Sequence, residues 1–169
     1  SAFVDAVRAA VGPDFLVGLR MAMDEDLPDG LMAQTAIRKL EQLKKADRPF
    51  FMGLGFFKPH LPFVATRRDW EAMAWVDVPL PKHPRRVKSP NWHGSGEFYK
   101  YAMPFKKTRP LADADSLQAR RAYLACVRYT DRQVGKVLAA LDQLDLARET
   151  VVVVWGDHGW FLGEVALWG

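Results

Sequence analysis

A run of β-branched residues that ends in a Gly-Asp-His-Gly turn is the feature that most constrains the fold of this chain. The run is Val151–Trp155, and the turn brings Asp157 and His158 directly after it. An unbroken apolar run of this length is typical of a strand that is buried on both faces of a parallel sheet. Ligands of open α/β sheets bind beyond the carboxyl ends of the strands. The segment therefore predicts an α/β domain with a carboxylate and an imidazole at its ligand-binding edge.

Two helix-then-strand units organise most of the chain. The first predicted helix runs from Gly30 to Lys45, with apolar residues at helical spacing and Asp29 as its N-cap. It leads into Phe50–Phe57, a short aromatic run bounded by prolines, which predicts a buried strand. A long helix within Ser116–Leu144 then leads into Val151–Trp155. Right-handed connections between such units predict a three-layer αβα sandwich with a mainly parallel sheet.

Residues 58–115 separate the two units as a long excursion rich in Pro, Lys, Arg, Trp and His. A connection far beyond the usual limit of about 15 residues is either a disordered linker or a functional loop near a site. The tryptophans and prolines favour an ordered excursion, with a brief helix around Arg67–Met73. A solvated basic loop stays open as the alternative for Lys82–Lys107. Before the first unit, Ser1–Val11 is predicted to be helical and Leu16–Met21 to be extended.

The composition fits a soluble globular piece with a hydrophobic core, because 49% of the 169 residues are hydrophobic and 26% are charged. The net charge of +4 suits an anionic substrate. The basic residues do not form a stripe interleaved with aromatics, which argues against nucleic-acid binding. No stretch approaches the roughly 18 apolar residues that span a bilayer.

The single cysteine, Cys126, excludes an internal disulfide. It lies within an apolar stripe of the long predicted helix, which indicates a core thiol rather than a nucleophile. The stripe consists of residues three and four positions apart: Tyr123, Cys126, Val127, Thr130, Val134, Val137, Leu138, Leu141 and Leu144.

Polar side chains follow both predicted strands and are the candidates for chemistry. The glycines around Asp157 and His158 let the backbone turn, so that both side chains converge. Such a pair binds a metal or performs acid–base chemistry, or else the Asp caps the following turn and the His bonds to it. Lys58-Pro59-His60 ends the other strand and alone is more typical of a turn. Since parallel strands share one carboxyl edge, His60 and Asp157 are expected to approach one another there.

Three long segments, in order, resemble the sulfatase family and most closely its iduronate-2-sulfatase-like branch. The first is the stretch of residues 48–63 around Lys-Pro-His. The second is Tyr123–Leu138, within the long helix. The third is Gly156–Glu164, with the sequence Gly-Asp-His-Gly-Trp-Phe-Leu-Gly-Glu. Together they make residues 1–169 similar to one partial sulfatase catalytic domain.

This resemblance implies an alkaline-phosphatase-like fold and the hydrolysis of a sulfate ester on a sulfated carbohydrate or small molecule. It implies a divalent cation, usually calcium, and a formylglycine made from a cysteine. Asp157 and His158 match the family's metal ligands, His60 matches the histidine that touches the sulfate, and Lys58 matches by position. A periplasmic, secreted or lysosomal-type location follows from the same resemblance.

Departures from the family pattern are equally informative. Cys126 is not in the Cys-x-Pro-x-Arg context of the modified cysteine, and Asp24-Glu25-Asp26 lacks the preceding strand of the family's first metal aspartates. Val165 stands where a histidine is common. The chain is therefore interpreted as an internal fragment, inactive alone, whose nucleophile lies elsewhere. A phosphate or phosphonate ester hydrolase of the same superfamily, and a non-catalytic α/β binding module, are the alternatives.

Overall fold

The computed structural model describes residues 23–24, 27–101 and 108–169. The predictions for Ser1–Val11 and Leu16–Met21 lie outside these residues. Three α-helices are present in the described part of the chain: α1 at Pro28–Ala46, α2 at Arg67–Met73 and α3 at Asp113–Gln143. Short 3₁₀ turns occur at Glu97–Lys100, Ala147–Glu149 and Glu164–Ala166. The three predicted helices are thus confirmed, and α2 has the predicted bounds.

Helix α1 begins differently from the prediction. Pro28 occupies the first turn and Leu27 is the N-cap, with no side-chain capping bond. Proline suits this position because its fixed φ is helical and its missing N–H would have no partner there. Asp29 was expected to cap the helix, but it lies inside the first turn and its carboxylate bonds elsewhere. Lys44 and Lys45 close the helix at its negative end.

Helices α1 and α3 pack together through small side chains. Ala33 and Ala36 of α1 meet Val137 and Ala140 of α3, and Leu40 is fully buried between them. A second cluster joins the other half of α3 to the excursion, around Phe63, Phe98 and Tyr129. The buried face of α3 therefore differs from the predicted stripe, since Val127 and Leu138 are each 40% exposed. Alanines supply that face because they permit close helix contacts.

The predicted parallel sheet is not formed among the described residues, where an isolated antiparallel bridge joins Leu162 and Trp168. Burial alternates along residues 50–57, as in an extended chain: Met52 and Leu54 pack on the helices, while Phe51 is 95% exposed. Val151–Trp155 is exposed throughout. A strand needs a hydrogen-bonded neighbour, and these two segments do not pair with each other. The helices of the predicted sandwich are therefore confirmed, and its sheet is not confirmed by the described residues.

The long excursion is mostly ordered. Phe98 is completely buried, and the backbone N–H of Phe98 donates to the carbonyl of Trp168 at 3.4 Å. By contrast, residues 82–91 are almost entirely exposed, so the solvated basic loop describes that part of the excursion. No helix in the described part of the chain combines the length and the apolar character that a membrane crossing requires.

A buried ion-pair network fixes α2 and residue 24 to α3. The guanidinium of Arg132 donates to both oxygens of Asp24, at 2.9 and 2.6 Å. It also donates to both oxygens of Asp69, at 2.8 and 2.6 Å. Asp69 is fully buried and receives a further bond from the hydroxyl of Thr66 at 2.5 Å. These two carboxylates raise the pKa of Arg132, and the Arg132 hydrogen bond lowers the pKa of Asp24.

Gly163→Ala is expected to lower the free energy of unfolding by about 1–3 kcal/mol. Gly163 has a φ of +100°, and a Cβ there would lie 2.9 Å from the Pro81 side chain and 3.1 Å from the Trp168 ring. Gly135→Ala is the matched control, because a Cβ at Gly135 meets nothing within 4 Å. It lies within α3, so alanine is expected to add about 0.5–1 kcal/mol. Urea denaturation of both variants checks the opposite signs, and equal effects would contradict them.

Candidate functional site

His60 lies in a tight turn that follows the extended segment 50–57. Its backbone N–H donates to the carbonyl of Phe57 at 3.0 Å. Its ring Nδ1 is 2.8 Å from the carbonyl oxygen of Leu61. A carbonyl only accepts, so Nδ1 carries the proton and donates this bond. Nε2 is the nitrogen left for chemistry, and it lies 3.6 Å from a carboxylate oxygen of Glu97.

The side chain of Lys58 organises this turn from within. Its ammonium donates to the carbonyls of His60 at 2.9 Å and Pro62 at 2.6 Å. Burial lowers the pKa of Lys58, with the negative charge of Asp29 acting in the opposite direction. In this arrangement two of the three ammonium donors are used by the protein's own backbone. Lys58 therefore acts on the shape of the turn that presents His60.

Asp157 and His158 make local contacts at the end of the second strand-like segment. An oxygen of Asp157 accepts the backbone N–H of His158 at 3.0 Å, and the ring Nδ1 of His158 donates to the carbonyl of Gly159 at 2.9 Å. These are the bonds expected of a capped turn. The other Asp157 oxygen lies 3.8 Å from Nε2 of His158, and the side chains are 87% and 62% exposed. One carboxylate oxygen and one imidazole nitrogen are thus open to a ligand.

The hydrogen bond to Gly159, followed by the charge of Asp157, raises the pKa of His158. The negative charge of Glu97 contributes in the same direction. His158 must be neutral to coordinate a cation through Nε2, and its Nδ1 bond to a backbone carbonyl is the usual partner of a ligating histidine.

Trp160 connects the turn that holds His60 to the segment that contains Asp157 and His158. Its ring meets the His60 ring edge to face, with centroids 5.6 Å apart, and also packs against Phe63 at 6.0 Å. Only Gly159 separates Trp160 from His158 in the chain. Glu97 lies beside His60 and contributes to the electrostatics of His158. The turn that holds His60 is therefore in contact, through Trp160, with the segment that follows Asp157 and His158. We refer to His60, Glu97, Asp157, His158 and Trp160 together as the rim.

The donors on this rim do not form a cation site by themselves. Within the ranges that the structure describes, no group of three or more His, Cys, Asp or Glu side chains is arranged to hold a metal ion. Calcium takes 6–8 oxygen ligands, whereas the turn after the second strand-like segment offers one carboxylate, Asp157, and one imidazole, His158.

Cys126 belongs to the core, as its position in the sequence predicts. Its side chain is buried, its Sγ donates to the carbonyl of Val64 at 3.4 Å, and burial raises the pKa of the thiol to about 12. A thiol with that pKa is almost entirely protonated at neutral pH and is a poor nucleophile.

In the folded protein at pH 8, we expect Cys126 to resist a thiol-reactive disulfide reagent. In denaturant, it should react fully. Cys126→Ser is expected to cost about 1–3 kcal/mol, because a hydroxyl replaces sulfur in an apolar site. It should leave catalytic turnover unchanged. Rapid labelling of the folded protein, or loss of activity without loss of stability, would contradict this assignment.

Sequence reasoning did not identify Glu97 or Asp29 as neighbours of the site. Glu97 belongs to the excursion, and nothing in the chain pattern links it to a turn 37 positions earlier. Asp29 was identified as a cap, although its oxygens accept the backbone N–H groups of Phe57 at 2.8 Å and Lys58 at 2.9 Å. A buried Asp just inside a proline-initiated helix was the available signal.

Polar side chains thus lie at the ends of two extended segments, beside packed helices. The chain belongs to the sulfatase family, whose model, described as Sulfatase, matches residues 13–168. It is 33% identical to iduronate 2-sulfatase of Mus musculus and 31% identical to that of Homo sapiens, over 84% of this chain in both cases. It is also 30% identical, over 78% of its length, to the multifunctional alkaline phosphatase superfamily protein PehA of Trinickia caryophylli.

The chain spans about a quarter of the length of these relatives, 27% of each iduronate 2-sulfatase and 28% of PehA. Membership of the family implies an α/β fold of the alkaline-phosphatase type. The helices described above agree with that fold, and the sheet is the part that the described residues do not form.

Proposed function

We propose that the whole protein hydrolyses sulfate esters and that this chain contributes one edge of its active site. The observation that carries the proposal is the edge-to-face contact of His60 with Trp160, which lies two positions after His158 in the chain. Similarity to two iduronate 2-sulfatases supports a sulfated carbohydrate as substrate, and a sulfated small molecule fits the same chemistry.

His60 has the arrangement of a general acid in this proposal. Hydrolysis of a sulfate ester places negative charge on the leaving oxygen as the sulfur–oxygen bond breaks. With Nδ1 held on the Leu61 carbonyl, a protonated Nε2 can donate to that oxygen. A carboxylate oxygen of Glu97 lies 3.6 Å from this nitrogen. Lys58 stabilises the turn that fixes this direction.

Asp157 and His158 are proposed as two ligands of a divalent cation, calcium by family resemblance. Such a cation stabilises negative charge on the sulfate group when bound. The remaining ligands, and the formylglycine nucleophile that the family resemblance implies, would come from residues outside those described. Cys126 is excluded as that nucleophile because it is buried in the core.

A phosphate or phosphonate ester hydrolase is the second candidate, and the similarity to PehA favours it. Sulfate and phosphate groups are tetrahedral anions of similar size, so the same set of donors can accommodate both.

The test compares 4-nitrophenyl sulfate with 4-nitrophenyl phosphate as substrates of the whole protein. The proposal expects a higher kcat/KM for the sulfate. It also expects His60→Ala to lower kcat by about 10²–10⁴-fold, the usual contribution of a general acid. The loss should be larger for phenyl sulfate, whose phenol leaving group resembles tyrosine with a pKa near 10, than for the more acidic nitrophenol. A higher kcat/KM for the phosphate would favour the second candidate instead.

A further inference from the structure

The peptide that leads into His60 is held from two sides by the helices. On one side, the carboxylate of Asp29 accepts the N–H of Phe57 at 2.8 Å on Oδ1 and the N–H of Lys58 at 2.9 Å on Oδ2. Asp29 belongs to the first turn of α1 and is only 1% exposed. Both hydrogen bonds are charge-assisted and shielded from solvent, so they hold the backbone of Phe57 and Lys58 firmly.

On the other side, α3 fixes the carbonyl of the same residue. The hydroxyl of Thr130 lies 3.0 Å from the carbonyl oxygen of Lys58 and 3.1 Å from that of Cys126, one helical turn earlier. Lys58 is thus bound at its N–H by α1 and at its C=O by α3. The following turn is closed by the bond from the His60 N–H to the Phe57 carbonyl.

These contacts hold the end of an extended segment at a fixed place between the two helices. Residues 50–57 have no strand partner among the described residues, yet the end of this segment must hold a definite direction for His60 to act. A carboxylate that bonds two successive N–H groups restricts both the position and the rotation of the peptide between them. Asp29 does not cap its own helix, and its carboxylate instead accepts two hydrogen bonds from the backbone that leads into the turn.

We propose that Asp29, together with Thr130, is a positioning residue that orients His60 by fixing the Lys58 peptide between α1 and α3. This inference rests on the proposed function, in which His60 donates a proton to the leaving oxygen. Neither Asp29 nor Thr130 touches the substrate in this account. Their effect passes through the backbone of residues 57–60.

The variants that test it are Asp29→Asn and Thr130→Val in the whole protein. An asparagine keeps the size of the side chain but offers one acceptor oxygen and an NH₂ group that cannot accept the second N–H. Valine keeps the shape of threonine and removes its donor. Asp113→Asn is the matched control, since Asp113 also lies in the first turn of a helix but is exposed.

Amide hydrogen exchange is the first measurement. In Asp29→Asn we expect exchange at Phe57 and Lys58 to accelerate by about 10-fold or more, with the core amides of α3 unchanged, because only local opening becomes easier. Unchanged exchange at both amides would overturn the proposal, whatever the substrate of the protein proves to be. This measurement is independent of activity, so a protein that hydrolyses no sulfate ester would refute the proposed function without deciding the role of Asp29.

Kinetics are the second measurement. Each variant is expected to lower kcat by about 10–100-fold, the range found when an orienting partner is removed, with a much smaller change in KM. The double variant should lose less than the product of the two single losses, because both changes release the same peptide. Should Asp29→Asn fail to fold, Thr130→Val alone decides the question by its kcat. A loss of stability with normal kcat would overturn the proposal by showing that the two residues act only on the fold. Strictly multiplicative losses of kcat would overturn it by showing that the two residues do not act through one shared peptide.

Discussion

Arg132→Met should destabilise the protein by about 3–5 kcal/mol, the cost of leaving a buried charge without its partner. Asp69 is fully buried and Asp24 is largely so, and Arg132 bonds all four of their carboxylate oxygens. Lys136, with its Nζ 2.6 Å from Asp24, and Arg128, with its Nε 3.5 Å from Asp69, compensate only in part. Arg132→Lys should recover little of the loss, because an ammonium cannot form two bidentate pairs. Arg148→Met, at an exposed arginine, should change stability by less than about 0.5 kcal/mol.

Arg132→Met is also expected to change how the free energy of unfolding depends on pH. The folded state lowers the pKa of Asp24 below its unfolded value, chiefly through Arg132. The stability from this pair is therefore complete above the ordinary carboxyl range, near pH 4, and is lost as the pH falls below it. Urea titrations between pH 2 and 7 should show a shallower acid dependence in Arg132→Met than in the unchanged protein. An equal slope in both would contradict the assigned ion pair.

Asp157→Ala should abolish divalent-cation binding in the whole protein and lower sulfate-ester turnover by at least about 1,000-fold. The basis is that a cation on the sulfate oxygens lowers the activation free energy by several kcal/mol, and each 1.36 kcal/mol changes the rate by a factor of ten. Asp157 is exposed and its carboxylate makes only local bonds, so the free energy of unfolding should change little. Asp142→Ala, at an exposed carboxylate near the end of α3, is the control. Parallel loss of stability in Asp157→Ala would indicate a structural role instead.

Helical periodicity was the most reliable part of the sequence-based prediction. Each helix forms within its own segment, so α1 and α3 were located chiefly from the spacing of their apolar residues. The start of α1 was wrong by two residues because Pro28 fixes the first turn, which frees the Asp29 carboxylate for a contact 28 positions away. Such a contact depends on tertiary packing, which spacing does not report.

The strands show the opposite behaviour. Val151–Trp155 has the composition of a buried strand, and yet Val153 is 69% exposed. Composition indicates what environment a segment suits, but strand formation depends on neighbouring strands that these segments do not provide for each other. The chain matches about a quarter of the length of its relatives, and the apolar faces left open here suit pairing with further strands of an α/β sheet.

In the candidate site, too, local features were predictable from the sequence and tertiary contacts were not. The local turns around His60 and Asp157 were predicted from glycine and proline positions, since those residues act on their own backbone. The contact of His60 with Trp160, and the approach of Glu97 to His60, depend on how the excursion folds over α3. The roles of His60, Lys58, Asp157 and His158 in sulfate-ester hydrolysis stay predictions until activity is measured.

Calcium titration of the 169-residue chain, with turnover of an aryl sulfate measured on the same sample, tests most directly whether this chain supplies one part of a larger active site. We predict that the isolated chain has no stoichiometric calcium site and no measurable turnover. In the whole protein, both should be present and both should be lost on Asp157→Ala. A one-to-one calcium site of micromolar or tighter affinity in the isolated chain, lost on Asp157→Ala, would contradict this prediction. Turnover by the isolated chain that disappears in His60→Ala would contradict it equally.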